Sequence, residues 1–166
     1  MLSDMPELDP TLQLIDEKRK IGLWPPSGDN IADSLYPYIK RFKKASVNVL
    51  DVGVFLGETT FRLLELDTIR KIDRITGLVT PNEAPFAKDR AIKNLKGTRT
   101  TVTDTLDPGV KFDVVMINCE IVSNVRGPDF QLDNTIRTYY NLVETGGIFC
   151  GNDHDKDYTK EALGKF

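Results

Sequence analysis

The stretch from Val47 to Thr60, VNVLDVGVFLGETT, joins an apolar run to two spaced glycines and then to a pair of threonines. The run is rich in valine and leucine, which is typical of a strand buried on both faces of a sheet. Gly53 and Gly57 bracket a loop whose backbone can approach a ligand closely, because glycine has no Cβ. The stretch therefore predicts a strand, a ligand-binding loop and the start of a helix.

Polar groups flank this loop on both sides. Asp51 lies near the carboxyl end of the strand, and the hydroxyls of Thr59 and Thr60 are predicted to cap the following helix. A helix N-terminus presents free N–H groups and a partial positive charge, so a carboxylate or phosphate can bind there. This arrangement indicates a nucleotide-binding site.

The glycine spacing separates two nucleotide-binding families. Dinucleotide-binding folds use G-x-G-x-x-G, whereas this segment reads D-x-G-x-x-x-G-x-T-T. It resembles motif I of class I S-adenosylmethionine (SAM)-dependent methyltransferases, and more narrowly their O-methyltransferase-like branch. The resemblance implies SAM as the cofactor, with contacts from Asp51, Gly53, Phe55, Gly57, Thr59 and Thr60. On this segment alone, a strand-turn-helix that needs glycines only for packing stays an open alternative.

The composition indicates one globular domain. The chain has 166 residues, 40% of them hydrophobic, and a formal net charge of −3 that argues against a nucleic-acid surface. Its only basic cluster, residues 40–44, is interpreted as a solvated helix end. The sequence shows no apolar run of membrane-spanning length and no signal peptide at its start, so we expect a cytoplasmic protein without membrane contact. Cys119 and Cys150 lack C-x-x-C spacing and are predicted to be free thiols.

Strand and helix patterns alternate along the chain. Strands are predicted at residues 47–52, 75–79, 98–103, 112–118 and 148–151, with helices at 9–22, 31–42, 59–66, 87–97 and 129–143. Pro37 is predicted to kink the second helix or to begin a new one. The alternation predicts an α/β fold with a Rossmann-like, doubly wound, mainly parallel sheet of about five strands in the order 3-2-1-4-5, with helices on both faces. Residues 1–46 are predicted to form a helical segment packed on a SAM-binding core, 47–166.

The methyltransferase resemblance extends to later strands. Thr103-Asp104-Thr105 is similar to the acid-hydroxyl turn after strand three, which implies adenine contacts from Asp104 and Thr105, although the same residues also form ordinary turns. Phe112-Asp113 and the segment GGIFCGND at residues 146–153 resemble the fourth and fifth strands of the family. Asn118, at the end of strand four, is included among the implied cofactor contacts.

Two departures concern charged groups. Val79 stands where relatives place the acid that binds the ribose hydroxyls, and Glu83 is interpreted as a solvated loop residue, although it could reach back to the site. The metal-dependent branch gathers carboxylates at the ends of strands four and five, where this chain has Asn118 and Asn152. Mg²⁺ prefers anionic oxygens, and only Asp153 and Glu120 remain nearby, so no functional metal site is predicted.

A third departure is the length after strand five. In the family the sheet continues there, whereas this sequence ends at Phe166, so it is interpreted as a minimal core or as lacking the remainder. An open strand edge invites pairing with another chain. A homodimer, or a partner that covers the edge of strand five, is therefore expected.

The resemblance implies a methyltransferase that acts on an oxygen of a small molecule or sugar. His154 has a pKa suited to proton removal near neutral pH, and Asp153 is the alternative base. A non-catalytic or degenerate SAM-binding protein is the main alternative, favoured by Val79, Asn118 and Asn152. An NAD-type enzyme is a weaker alternative, because the glycine spacing and Val79 disfavour it.

Overall fold

The computed structural model describes residues 31–81, 83, 85–118 and 132–152, together with residues 17, 160, 161, 163 and 164. Its helices and strands follow one another in the order α1 (Ile31–Lys40), β1 (Val47–Val52), α2 (Glu58–Leu66), β2 (Ile72–Leu78), α3 (Ala87–Leu95), β3 (Thr100–Thr103), β4 (Phe112–Ile117), α4 (Leu132–Tyr140) and β5 (Val143–Gly151). No helix among these residues is both long enough and apolar enough to span a membrane.

The strands form one parallel sheet in the order β3-β2-β1-β4-β5, which confirms the predicted topology. β1 lies at its centre, with Asp51 beside Gly77 of β2 and beside Met116 of β4. The chain leaves β1 toward β2 on one side and returns through β4 on the other. The loop after β1 therefore lies at the switch point, where sheets of this kind bind their ligands.

The side chains of β1 alternate between two cores. Val47 and Val49 pack with α1, α2 and α3 on one face of the sheet, whereas Leu50 and Val52 pack on the opposite face with Ile136 of α4. Alternation follows from the two-residue period of a strand and buries both faces. Helices on both faces are thereby confirmed, and Asp51 points to the face that carries α2.

α1 continues through Pro37, which lies on its exposed side. The helix therefore does not begin anew at this residue. Leu35 and Ile39 lie on the opposite side and are buried against the core, as the sequence predicted. Apart from residue 17, residues 1–30 of the predicted N-terminal segment lie outside the described part of the chain.

The predicted start of β5 is wrong. α4 ends at Tyr140, and β5 already begins at Val143, so the two glycines at 146 and 147 lie inside the strand and do not end the helix. Val143 pairs with Phe112, and Ile148 pairs with Val114. Between these two pairs the chain advances five residues along β5 but only two along β4, so β5 bulges here. A Cβ on Gly147 would lie 2.5 Å from the Asp113 carbonyl oxygen. Glycine is required here because the bulged strand passes so close to β4.

The other predicted boundaries that fall within the described residues agree to within three residues, and β2 begins three residues earlier than predicted. This strand begins at Ile72, because the Ile72 and Lys71 amides donate to the buried Asp67 carboxylate at 2.8 and 2.9 Å. Asp67 also accepts bonds from Tyr36 and Arg99. This network fixes the amino end of the sheet, opposite the glycine loop.

Candidate cofactor site

The loop after β1 turns through three residues with positive φ, at Gly53 (80°), Phe55 (49°) and Gly57 (89°). The Leu78 carbonyl at the end of β2 accepts bonds from the amides of Gly53 and Val54, at 3.0 and 3.2 Å. A left-handed conformation costs a residue other than glycine about 1 kcal/mol. These bonds hold the loop against β2. The Phe55 N–H points toward Glu83 and donates to its carboxylate oxygen at 2.6 Å.

Gly57 is the residue before α2, and no side-chain bond caps this helix. The prediction that Thr59 and Thr60 cap it is wrong, because the Thr60 hydroxyl donates to Asp51. A Cβ on Gly57 would lie 2.7 Å from Leu95 Cδ1. Gly57 therefore allows α2 to start directly against α3.

We expect Gly57→Ala to lower the free energy of unfolding by about 2 kcal/mol, from backbone strain and the contact with Leu95. Gly109→Ala is the matched control, because Gly109 also has positive φ (75°) but has nothing within 4 Å of its Cβ position. Urea denaturation of both variants measures the difference. Equal losses would show that the Leu95 contact is unimportant.

Asp51 is the most deeply buried charged group near the loop, with 2% of its surface exposed. Its Oδ2 accepts a bond from the Thr60 hydroxyl at 2.7 Å, while Oδ1 has no donor in the part of the chain that the structure describes. Burial raises the pKa of Asp51 to about 6; the Thr60 bond partly opposes this increase, and the negative charge of Glu83 adds to it. Such a carboxylate is suited to a ligand that brings a positive charge or an N–H donor.

Glu83 supplies a second carboxylate at the same place. Its Oε1 accepts from the Phe55 amide, and its Oε2 accepts from the Thr80 amide and, at 3.2 Å, from the Thr80 hydroxyl. The side chain is half-buried, and this burial raises the pKa of Glu83. Its interpretation as a solvated loop residue is wrong. A carboxylate has about four acceptor positions, and Glu83 uses three of them here, so it keeps capacity for one hydrogen bond from a ligand hydroxyl.

The position where relatives carry the ribose acid is taken by a core residue. Val79 packs against the core on the α1–α3 face. The turn that follows it is closed by a bond from the Glu83 amide to the Thr80 carbonyl at 3.1 Å, and this turn brings the Glu83 side chain back over the loop. Tyr139 of α4 lies close enough to Glu83 to be affected by its charge. Burial raises the pKa of the Tyr139 hydroxyl, and the Glu83 charge raises it as well.

The predicted adenine contacts lie at the carboxyl end of β3. Asp104 is exposed and forms an ion pair with Lys88 at 2.9 Å, which holds the pKa of Asp104 below its usual value. The Thr105 amide donates to the Thr103 hydroxyl at 3.2 Å, and that hydroxyl donates to the Thr105 carbonyl at 2.9 Å. The turn is ordered, and adenine binding by Asp104 and Thr105 stays a prediction.

Two asparagines join the ends of β4 and β5. The Asn118 amide donates to the Val52 carbonyl at 2.9 Å, and Asn152 Nδ2 lies 3.2 Å from Asn118 Oδ1. Within the described residues, no three His, Cys, Asp or Glu side chains cluster closely enough to hold a metal ion. Glu120 and the two predicted bases, Asp153 and His154, lie outside those residues.

No protein-family model and no curated protein matches this sequence. Solved structures are similar to it in fold. SAM-bound CalS10, an amino pentose methyltransferase from Micromonospora echinaspora involved in calicheamicin biosynthesis, superposes with a TM-score of 0.53 at 22% identity, over 81% of this chain and 54% of CalS10. The ribosomal protein L11 methylase from Lactobacillus delbrueckii gives 0.52 at 18% identity, over 84% of this chain and 70% of the methylase.

The sugar N-methyltransferase KedS8 from a Streptoalloteichus species gives a TM-score of 0.52 at 18% identity, over 82% of this chain and 51% of KedS8. The chain therefore spans about half the length of CalS10 and KedS8. These similarities show that it has the Rossmann-like fold of SAM-dependent methyltransferases. They include N-methyltransferases, so membership of the O-methyltransferase-like branch stays a prediction.

Proposed function

We propose that this protein binds SAM and transfers its methyl group to an acceptor. The observation that carries the proposal is the arrangement at the switch point, where the loop, the buried Asp51 and the returning Glu83 meet. Together they offer free helix N–H groups and two carboxylates with unused acceptor positions. SAM carries the groups that match them, namely a carboxylate, an ammonium, a sulfonium and two ribose hydroxyls.

Each group of the site has a role in this proposal. The loop and the start of α2 hold the carboxylate of the methionine part, as helix N-termini do with anions. Glu83 accepts a bond from one ribose hydroxyl, in place of an acid at Val79, and Asp51 balances the positive charge of the ligand. SAM supplies an activated methyl group, so the protein acts chiefly by holding donor and acceptor in line.

We propose an oxygen of a small molecule as the acceptor, with His154 or Asp153 as the base. A hydroxyl acceptor benefits from a group that removes its proton near neutral pH, which is the chemistry these residues offer. The names of CalS10 and KedS8 describe an amino pentose methyltransferase and a sugar N-methyltransferase. Amine acceptors are therefore the alternative that an acceptor screen must include.

Calorimetry with S-adenosylhomocysteine (SAH) and with SAM tests binding. We expect one-to-one binding of both and no binding of NAD⁺, because the loop lacks the dinucleotide spacing. The absence of heat with both sulfur ligands would exclude the proposal. Formation of SAH from SAM in the presence of acceptors then separates an enzyme from a non-catalytic SAM-binding protein.

We expect any methyl transfer to survive EDTA, because two amides stand where metal-binding carboxylates would be needed. The double variant Asn118→Asp, Asn152→Asp should gain dependence on Mg²⁺, since it adds anionic oxygens at the ends of β4 and β5. Initial rates with EDTA and with added Mg²⁺ measure this. Loss of activity of the unmodified protein in EDTA would contradict this expectation.

We also propose that the protein associates through β5. In the described part of the chain β5 pairs only with β4, so it is an edge strand of the sheet there. Light scattering at tens of micromolar is expected to show a dimer, and hydrogen exchange should be slow along β5. A monomer with rapidly exchanging β5 amides would contradict pairing at this edge.

A further inference from the structure

A groove of about 290 Å³ lies between α1 and the edge strand β5, on the face of the sheet toward which Asp51 points. Three helical residues and three strand residues form most of its wall. They are Ile31, Ser34, Tyr38, Ile148, Cys150 and Gly151. Tyr38 has 59% of its surface exposed, so the groove leaves a large apolar side chain open to solvent.

One end of the groove lies near the cofactor site. Gly151 directly precedes Asn152, whose side-chain amide bonds to Asn118 at 3.2 Å. Asn118 in turn donates its backbone N–H to Val52, the last residue before the glycine loop. Because α1 leads into the amino end of β1, its first residue, Ile31, lies toward the carboxyl edge of the sheet. One end of the groove therefore opens beside the ends of β4 and β5, next to the loop.

The side chains that line the groove determine which class of ligand it can bind. Among the residues that the structure describes, no charged side chain lines the groove, and the polar side-chain atoms are limited to the Ser34 and Tyr38 hydroxyls and the Cys150 thiol. A cavity of about 150 Å³ lined by aliphatic side chains holds benzene, so this groove has room for a larger ring system. A sugar or a phosphate would lose hydration here without gaining enough partners, which is unfavourable.

We propose that this groove holds the apolar part of the methyl acceptor, an uncharged ring compound whose reacting heteroatom faces Asn152. The inference rests on the proposed function and narrows its substrate class from small molecules and sugars to apolar ring compounds. Apolar burial supplies the affinity, because removal of apolar surface from water is favourable and needs no directional partner. The amides of Asn118 and Asn152 lie at the open end, where a polar heteroatom requires hydrogen-bond partners.

NMR of protein labelled at isoleucine methyl groups, with indole as the probe, tests the groove. We expect indole to shift the Ile31 and Ile148 methyls, and to leave the fully buried Ile72 and Ile75 unchanged. Glucose at the same concentrations should shift none of them. Ser34→Phe fills the groove and should weaken indole binding at least tenfold. Lys40→Phe places the same side chain at the exposed end of α1, outside the groove, and should have no effect.

SAH affinity, measured on the same samples, separates this inference from the proposed function. Both variants should bind SAH within twofold of the unmodified protein. If SAH binds and indole shifts no groove methyl, the inference is overturned and the proposed function stands. If indole binds and SAH does not, the proposed function is excluded, and with it the role of the groove as an acceptor site. Loss of the indole-induced shifts when the protein concentration is raised into the range of dimer formation would assign the groove to a second copy and overturn the inference.

Discussion

Glu83→Ala is expected to weaken SAH binding about 100-fold, and Glu83→Gln about 30-fold. A hydrogen bond to a charged acceptor contributes about 1.5–3 kcal/mol, so loss of one ribose bond at the upper end of this range corresponds to about 100-fold in affinity. Glutamine keeps the shape and the acceptor oxygen but loses the charge, which explains the smaller effect. Isothermal calorimetry with SAH measures both variants.

Glu144→Gln is the matched control, because Glu144 is an exposed glutamate on β5 at the opposite end of the sheet. It should leave SAH affinity unchanged. Glu83 also orders the loop through Phe55 and Thr80, so thermal unfolding without ligand must accompany the binding data. If Glu83→Gln binds SAH as well as the unmodified protein does, the carboxylate has no part in ribose recognition.

The centre of the fold was predictable because its signals are local. β1, the loop and α2 occupy one continuous stretch, in which strand hydrophobicity, glycine spacing and helix start follow one another within 20 residues. The strand order followed from the alternation of strands with helices. β4 was equally predictable, because its sequence FDVVMI is a mainly apolar run. In the structure every residue from Phe112 to Ile117 is buried.

The start of β5 could not be predicted in the same way. Two glycines after a helix usually mark its end, and that rule placed the start of β5 after the glycines, at residue 148. In the structure Gly147 lies against the carbonyl of Asp113, about thirty residues earlier in the chain. Because this requirement is set by a neighbouring strand, the local sequence around the glycines looks the same as that of a helix end.

Two predictions at the candidate site, those for Thr60 and Glu83, were wrong because each was drawn from the local sequence around the residue. Thr60 was assigned to the helix start nearest to it in sequence, whereas its hydroxyl bonds to Asp51, nine residues earlier. Glu83 was interpreted as a solvated loop residue, although it could reach back to the site. The spacing of Thr80 and Glu83 fits a four-residue turn, and this signal could have brought the Glu83 carboxylate back to the loop.

Asp51→Asn is expected to stabilise the protein most above pH 6, and by only about 1 kcal/mol near pH 4.5. The native pKa of Asp51 is about 6, whereas an unfolded aspartate titrates near 3.9. Between these values the native state holds the proton more tightly, so the unfolding free energy falls as pH rises. Above pH 6 the ionised carboxylate therefore costs about 3 kcal/mol, which asparagine avoids while it still accepts the Thr60 bond.

Urea denaturation at pH 4.5 and pH 8 measures this dependence, with Asp73→Asn as the control at an exposed position on β2. The control should change stability equally at both pH values. A gain for Asp51→Asn that is absent at pH 8, or equal at both pH values, would contradict the assignment of a destabilising buried charge.

The same variant links stability to function. A buried carboxylate that lowers stability near neutral pH is explained if a ligand compensates it, because a cation at Oδ1 favours the ionised form. We therefore expect Asp51→Asn to bind SAM more weakly, although its fold is more stable. SAM affinity of the unmodified protein should also rise between pH 5 and pH 7, as Asp51 ionises, while that of the variant should rise less. Tight, pH-independent SAM binding by the variant would remove Asp51 from the site.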